Sequence, residues 1–225
     1  MDDFTRRSSL ARFGGVLLAG LGVAASGTDS SEGAGPAAVA SGAVKCVLTP
    51  EQTEGPFYVA GEKVRRNIVG GRPGAPLTLR LQVVNASTCK PIPGAAMDVW
   101  HCDASGTYSG VEGNNGTFLR GIQMTGPHGV ATFQTIYPGW YRGRTVHIHV
   151  KVHLGSNVVH TGQLYLPDGL TDAVYRGAPY SSRGPRDTRN RQDWIYRNGG
   201  SGSLMSAQRR GSGYVAAITM GVNRS

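Results

Sequence analysis

Thr145-Val146-His147-Ile148-His149-Val150-Lys151-Val152-His153-Leu154 is the stretch of this 225-residue chain that decides its fold class. It alternates strictly, with Thr, His, His, Lys and His on one face and Val, Ile, Val, Val and Leu on the other. That is the period-2 pattern of a β-strand with one face in a core and the other polar. Two residues of strand advance about 6.6 Å, so His147 and His149 point the same way and can share one metal ion. His153 lies roughly 13 Å beyond His149, too far for that ion. A His-x-His pair alone is an ordinary feature of a half-exposed strand, and its weight depends on what surrounds it.

Outward from this strand, further strand-like segments recur at 76–84, 94–101, 130–136, 158–166 and 214–222. Turn chemistry separates them: Asn85-Ala86-Ser87, Lys90-Pro91-Ile92-Pro93-Gly94, Gly126-Pro127-His128-Gly129 and Gly155-Ser156-Asn157. With 34 Gly and 12 Pro and few long apolar-periodic runs, the chain reads as all-β, a mixed or antiparallel β-sandwich with little helix. Helix is confined to short turns at 169–176 and 203–210. The stretch 177–200, dense in Arg, Asn, Gly, Pro and Asp, reads as a long surface loop. Its length suits one core and is too short for two comfortable domains.

Two tyrosines accompany the histidine strand. Upstream, Asp98-Val99-Trp100-His101-Cys102-Asp103 ends an apolar strand and leads through a Gly-rich turn to Tyr108; nearer, Tyr137-Pro138-Gly139-Trp140-Tyr141-Arg142-Gly143-Arg144 runs into the strand itself. Two phenols and two imidazoles suggest a Tyr2His2 site. Phenolate is a hard anionic donor, so such a set favours Fe(III) over Zn(II) or Cu(I). Phenols ionise near pH 10, and a bound trivalent cation is what deprotonates them at neutral pH. His101 faces the other side of its strand from Trp100 and reads as a packed or polar residue. His128, in a turn, and His160, on the hairpin partner, read as solvated.

In the order and spacing of these elements the chain resembles the intradiol ring-cleavage dioxygenases, non-haem ferric enzymes that open catechols between the two hydroxyl-bearing carbons. The resemblance covers about residues 49–195. Thr53-Glu54-Gly55-Pro56-Phe57-Tyr58 is similar to the family's entry segment, placing Gly55, Pro56 and Tyr58 at the substrate pocket. Trp100 and Tyr108 keep the separation of a pocket tryptophan from the first tyrosinate ligand, and Tyr141 falls where the second, displaceable tyrosinate belongs. Arg144 matches the active-site arginine, His147 and His149 the histidine ligands, and Gln163 a pocket glutamine; Trp140 either lines the pocket or packs. The resemblance implies a transthyretin (prealbumin)-like sandwich, one Fe(III) per chain, and a catechol with O2 as substrates, giving a cis,cis-muconate-type diacid. Only five residues, 142–146, separate Tyr141 from His147, fewer than in several relatives, and a helical dimerisation segment of the catechol-cleaving type is not expected before the core. Two other readings fit parts of the pattern: a non-catalytic transthyretin-like sandwich binding a ligand or polysaccharide, and a copper or zinc protein using His147, His149 and a third histidine.

The N-terminus reads separately. Thr5-Arg6-Arg7-Ser8-Ser9-Leu10 followed by apolar Phe13–Ala25 has the form of a twin-arginine export signal, with Ala38-Val39-Ala40 offering a cleavage site. Residues 1–40 are thus expected to be an export signal and flexible leader and 41–225 the catalytic domain, delivered by the twin-arginine machinery to the periplasm or outside. The apolar run falls short of the ~20 residues of a membrane span, so no stable anchor is expected. Beyond residue 40 there are 20 basic against 10 acidic residues. The arginines are dispersed and accompany no nucleic-acid motif, so a solvated basic face is expected rather than nucleic-acid binding; a homo-oligomer is left open. With Cys46, Cys89 and Cys102 in an oxidising compartment, one disulfide and one free thiol are expected. Cys89 and Cys102 flank the strand at 94–101, too far apart for a direct bridge, and the expected pair is Cys46–Cys102.

Overall fold

The computed structural model describes residues 46–223 apart from Glu112, so the export-signal reading of residues 1–40 lies outside the described residues. Eight strands carry the fold: β1 (Pro76–Asn85), β2 (Ala96–Trp100), β3 (Arg120–Met124), β4 (Val130–Ile136), β5 (His147–Leu154), β6 (Asn157–Tyr165), β7 (Ser206–Arg210) and β8 (Gly213–Val222). One sheet has the order β4-β1-β8-β7, the other β3-β2-β5-β6. The β1–β8 pair is parallel and every other pair antiparallel, which makes the molecule a mixed, all-β sandwich. Among the described residues helix is limited to α1 (Asp168–Val174), the single turn α2 (Trp194–Arg197) and three 3-10 segments, Tyr180–Arg183, Asn190–Gln192 and Gly200–Ser203.

Alternation along each strand builds the core. Leu77, Leu79, Leu81 and Val83 of β1 and Ala216, Ile218, Met220 and Val222 of β8 face Met97 and Val99 of β2 and Ile148, Val150 and Val152 of β5. Each of these side chains larger than alanine, removed from water, contributes roughly 1.5–3 kcal/mol before the entropy of ordering is set against it. The same alternation sends His147 and His149 to the opposite face of the second sheet.

Two strands were not expected. β3, Arg-Gly-Ile-Gln-Met, has no apolar alternation to announce it, and its Gly121 leaves room for Ile68, whose Cγ2 a Cβ there would meet at 2.8 Å. β7, Ser-Ala-Gln-Arg-Arg, was expected within a helical turn at 203–210; it is a polar edge strand held by its ladder with β8. Pairing with a neighbour outweighs a weak local preference in so short a segment. The expected surface loop 177–200 is likewise corrected. It folds into short helical turns that bury Tyr180, Asn190, Asp193 and Ile195.

The disulfide joins Cys46 to Cys89, with Cα atoms 5.4 Å apart, and not Cys46 to Cys102. The chain enters beside the end of β8, where Leu48 bridges Gly221 and the Thr49 N–H donates to the Gly221 carbonyl (2.9 Å). The turn after β1 lies there too, since the Ala86 N–H donates to the Val222 carbonyl (3.0 Å). Cys102 follows β2 of the other sheet, buried, its thiol directed at the Gly139 carbonyl (3.4 Å). His160 is also corrected. It is 2 % exposed, not solvated, because its ring folds over Gly162, where a Cβ would lie 2.6 Å from Nε2. His128 is exposed, as expected.

Two measurements follow from this packing. Peptide mapping without reduction is expected to link the Cys46 and Cys89 peptides and to label Cys102 only after unfolding; replacing Cys46 by Ser should cost about 2–4 kcal/mol, because the bridge closes a long loop in the unfolded chain. Burial pushes the His160 pKa from 6.5 down to about 4, so between those values the folded chain binds fewer protons than the unfolded one. Its contribution to stability is whole above the unfolded pKa and is lost as pH falls toward the folded one. Denaturation from pH 7 to pH 4 should therefore show a shallower decline for His160→Leu than for the natural chain; equal slopes would remove His160 from the acid response.

Candidate metal centre

Register across the second sheet sets out the site. Arg120, Trp100, His149 and Gln163 stand directly opposite one another on β3, β2, β5 and β6, and His147 stands opposite Tyr165. This face is not left to water. The Gln52 N–H donates to the Thr161 carbonyl (3.0 Å), Gln163 Nε2 donates to the Thr53 carbonyl (2.9 Å), and Lys151 pairs with Glu54. Gly55, at φ +73, passes so close that a Cβ would lie 3.2 Å from His149 Cε1. His147 and His149 are consequently 2 % and 1 % exposed.

Each of the four donor side chains has a local reason for its position. The His147 Nδ1 bonds the Thr145 carbonyl at 2.6 Å, which places the ring proton on Nδ1 and leaves the Nε2 lone pair facing inward. The His149 ring stacks on Trp100, its cross-strand neighbour, with centroids 4.9 Å apart and planes 6° from parallel. Tyr108 lies beyond a turn organised by Asp103, whose carboxylate accepts from the N–H groups of Ser105 and Thr107 (both 2.9 Å); its ring then stacks on Phe57 at 4.4 Å. Tyr141 and Arg144 bracket a reversal in which the Arg144 N–H donates to the Tyr141 carbonyl (3.2 Å) and Gly143 takes φ 78. An L-residue there would pay for the left-handed conformation, which glycine does not. That turn takes Arg144 out of the strand's alternation and brings Nη1 to 3.4 Å from the Tyr141 hydroxyl.

The donors converge. The Tyr141 hydroxyl is 3.2 Å from His147 Nε2, which is 3.1 Å from His149 Nε2. The Tyr108 ring centroid lies 5.8 Å from that of Tyr141 and 6.1 Å from that of His149, and its buried hydroxyl has no hydrogen-bond partner. Burial pushes the His147 pKa down to about 3 and that of His149 well below its ordinary value, so both rings are neutral. Burial likewise raises the Tyr108 and Tyr141 pKa values, so without a cation both phenols keep their protons. Neutral imidazoles whose Nε2 atoms converge, beside two phenols of which one hydroxyl is orphaned, are a donor set that a hard trivalent cation would complete. Among the described residues no group of three or more His, Cys, Asp or Glu converges in this way; the convergence is of Tyr with His.

Other expected pocket residues divide. Trp100 lies against the cluster, and Gln163 is fully buried, its Oε1 accepting from Arg144 Nη2. Tyr58 tilts against Trp100 at 4.9 Å, beneath the Lys151 ammonium. Pro56 is exposed. Trp140 packs on the main core under the Arg183 guanidinium (4.4 Å), not in ring contact with the four donors. His101 is packed and hydrogen-bonded at both nitrogens, to the Cys102 carbonyl (2.8 Å) and Thr135 Oγ1 (2.7 Å). Sequence reading passed over Phe57, although it sits inside the quoted entry segment. It also passed over Asp193 and Asn190, which hold Arg144 and Thr145 and carry no local signature.

A model of the dioxygenase family matches residues 53–170. An intradiol ring-cleavage dioxygenase from Tetranychus urticae is 33 % identical, over 79 % of this chain and 95 % of that one, with a TM-score of 0.76. The dioxygenase domain of a dioxygenase–carbohydrate-binding fusion from Streptomyces sp. SirexAA-E is 32 % identical over 80 % of this chain and all of that one, with a TM-score of 0.62. Catechol 1,2-dioxygenase 1 of Acinetobacter lwoffii is 35 % identical over 101 residues, 41 % of this chain and 32 % of that one. The chain thus spans about a third of the length of that curated relative. On these likenesses and its fold, the chain belongs to the intradiol ring-cleavage dioxygenase family.

Gly55→Ala tests how tightly the covering segment fits. The left-handed backbone should cost roughly 1–2 kcal/mol, and the methyl must displace the His149 ring. Metal uptake by the purified variant, measured alongside its melting temperature, should fall below that of the natural chain; unchanged uptake and stability would mean that the segment yields freely.

Proposed function

We propose that this protein cleaves a catechol-type aromatic diol between its hydroxyl-bearing carbons, using O2 and giving a cis,cis-muconate-type diacid. One non-haem ferric ion held by Tyr108, Tyr141, His147 and His149 serves that chemistry. The observation that carries the reading is the convergence of the donors, with the Tyr141 hydroxyl 3.2 Å from His147 Nε2 and that atom 3.1 Å from His149 Nε2, beside the partnerless Tyr108 hydroxyl. Family membership supports it, and the names of the catechol 1,2-dioxygenases it resembles support the substrate class. Bound there, ferric iron supplies the Lewis acidity that ionises the phenols and draws electron density out of a catecholate ring.

The chain's own residues then divide the work. Tyr108, 4 % exposed and stacked on Phe57, is held in place and suits the permanent ligand. Tyr141 is only partly buried and has Arg144 Nη1 at 3.4 Å, so it suits the exchangeable role: its oxygen can take the proton of an entering substrate hydroxyl. Arg144 presents a fixed cation where negative charge builds on the ring, a preorganised electrostatic contribution. Trp100 and Phe57 close the surroundings to water. The twin-arginine-type leader in residues 1–40 fits this assignment, because that route carries folded proteins with their cofactors already inserted.

The protein purified with iron should be coloured by phenolate-to-Fe(III) charge transfer, hold about one iron per chain and convert catechol to a ring-opened diacid. Tyr108→Phe should lose most of the colour and iron, whereas Tyr141→Phe should keep iron and turn over slowly. A colourless preparation holding stoichiometric zinc or copper, inactive after iron reconstitution, would overturn the reading. So would identical iron content and spectra in the two tyrosine variants.

A further inference from the structure

Asp193 is 0 % exposed, in a segment that the sequence presents as surface loop. Its carboxylate accepts four hydrogen bonds. Oδ1 takes the N–H groups of Ile195 (2.8 Å) and Tyr196 (3.2 Å), capping α2. Oδ2 takes Arg144 Nε and the Thr145 N–H, both at 2.8 Å. Burial alone would raise its pKa, but the Thr145 N–H and the Arg144 guanidinium outweigh this and lower it. Asn190, from the preceding turn, adds a second hold: its Oδ1 accepts from the Thr145 hydroxyl (2.6 Å) and its Nδ2 donates to the Leu166 carbonyl (3.0 Å).

Both residues that Asp193 grips lead to the donor cluster. Arg144 sends Nη1 to the Tyr141 hydroxyl and Nη2 to Gln163. Thr145 offers its carbonyl to His147 Nδ1 and so sets that ring's tautomer. The geometry points to Asp193 as a positioning residue for the ring-cleaving site: through Arg144 it fixes the cation beside Tyr141, and through the Thr145 backbone it fixes the orientation of His147. The inference rests on the functional reading above, since Arg144 matters to turnover only if that reading holds. A planar guanidinium held by a carboxylate at Nε and a carboxamide at Nη2 loses its freedom to rotate. Displacements of about 1 Å in such a group can cost on the order of a hundredfold in rate.

Asp193→Ser is the variant of choice. Serine is itself a good N-cap, so α2 keeps its cap, but the shorter side chain cannot reach Arg144 or Thr145. In the full-length iron-loaded protein, with catechol as the probe, kcat should fall about tenfold or more while KM moves by less than about threefold. In an Arg144→Gln background the same change should lower kcat by a clearly smaller factor than in the natural chain, because the arm through Arg144 is gone and only the hold on Thr145 remains. Equal losses in the two backgrounds would make Asp193 merely structural and overturn the proposal, as would a kcat like that of the natural chain. A second readout needs no turnover. In isotope-labelled, iron-free full-length protein, the Arg144 Nε–H resonance, identified by its loss in Arg144→Gln, should be protected from solvent exchange, and Asp193→Ser should abolish that protection. If the natural protein leaves catechol intact, the functional reading fails, while the exchange experiment still decides whether Asp193 holds Arg144; fast exchange in the natural chain would overturn that as well.

Discussion

His147 and His149 stand on the face of β5 that a two-sheet sandwich ordinarily leaves to water, and in this molecule that face is sealed. Everything distinctive about the structure answers to that condition. Polar groups removed from water need partners or they destabilise the fold. Most find them in the covering segments: Gln163 in Thr53 and Arg144, Tyr165 in Gln52, Arg144 and Thr145 in Asp193. Among the buried atoms left without a partner are the Tyr108 hydroxyl and His149 Nδ1, which lie at the donor cluster or on its rings.

The two coverings come from distant parts of the chain. Residues 51–58 arrive from the N-terminal side and lie over His149; residues 189–197 arrive from the C-terminal side and brace Arg144 and the start of β5. Between them the second sheet supplies a rigid platform, with Trp100 stacked on His149 as its cross-strand neighbour. Placing the two histidines on a strand and their supports on packed loops holds them to fractions of an ångström.

The sandwich was legible because its central strands alternate so plainly: Leu77, Leu79, Leu81 and Val83, or Ile148, Val150 and Val152, cannot face anything but a core. The common orientation of His147 and His149 followed from the same period. β3 and β7 were not legible, because Gly121 and the Arg209-Arg210 pair give their segments no apolar rhythm and only partners across the sheet make them strands. Asp193 was invisible for a related reason. A lone carboxylate among arginines looks like a solvated loop residue, and its burial depends on groups nearly fifty positions earlier in the chain. The disulfide was misassigned because one-dimensional spacing says which cysteines cannot meet along a strand but not which turn the N-terminal segment runs past.

That disulfide bears on how anything reaches the donors. The segment over His149 is fastened at both ends, covalently by Cys46 to the turn after β1, and by the Val64–Ile122 and Asn67–Gln134 bridges to β3 and β4. A strip anchored at one end can swing aside like a door. One anchored at two ends can only bow, and its excursion is set by the slack between the anchors rather than by a hinge angle. Any displacement of residues 53–58 is thus a matter of small outward flexing.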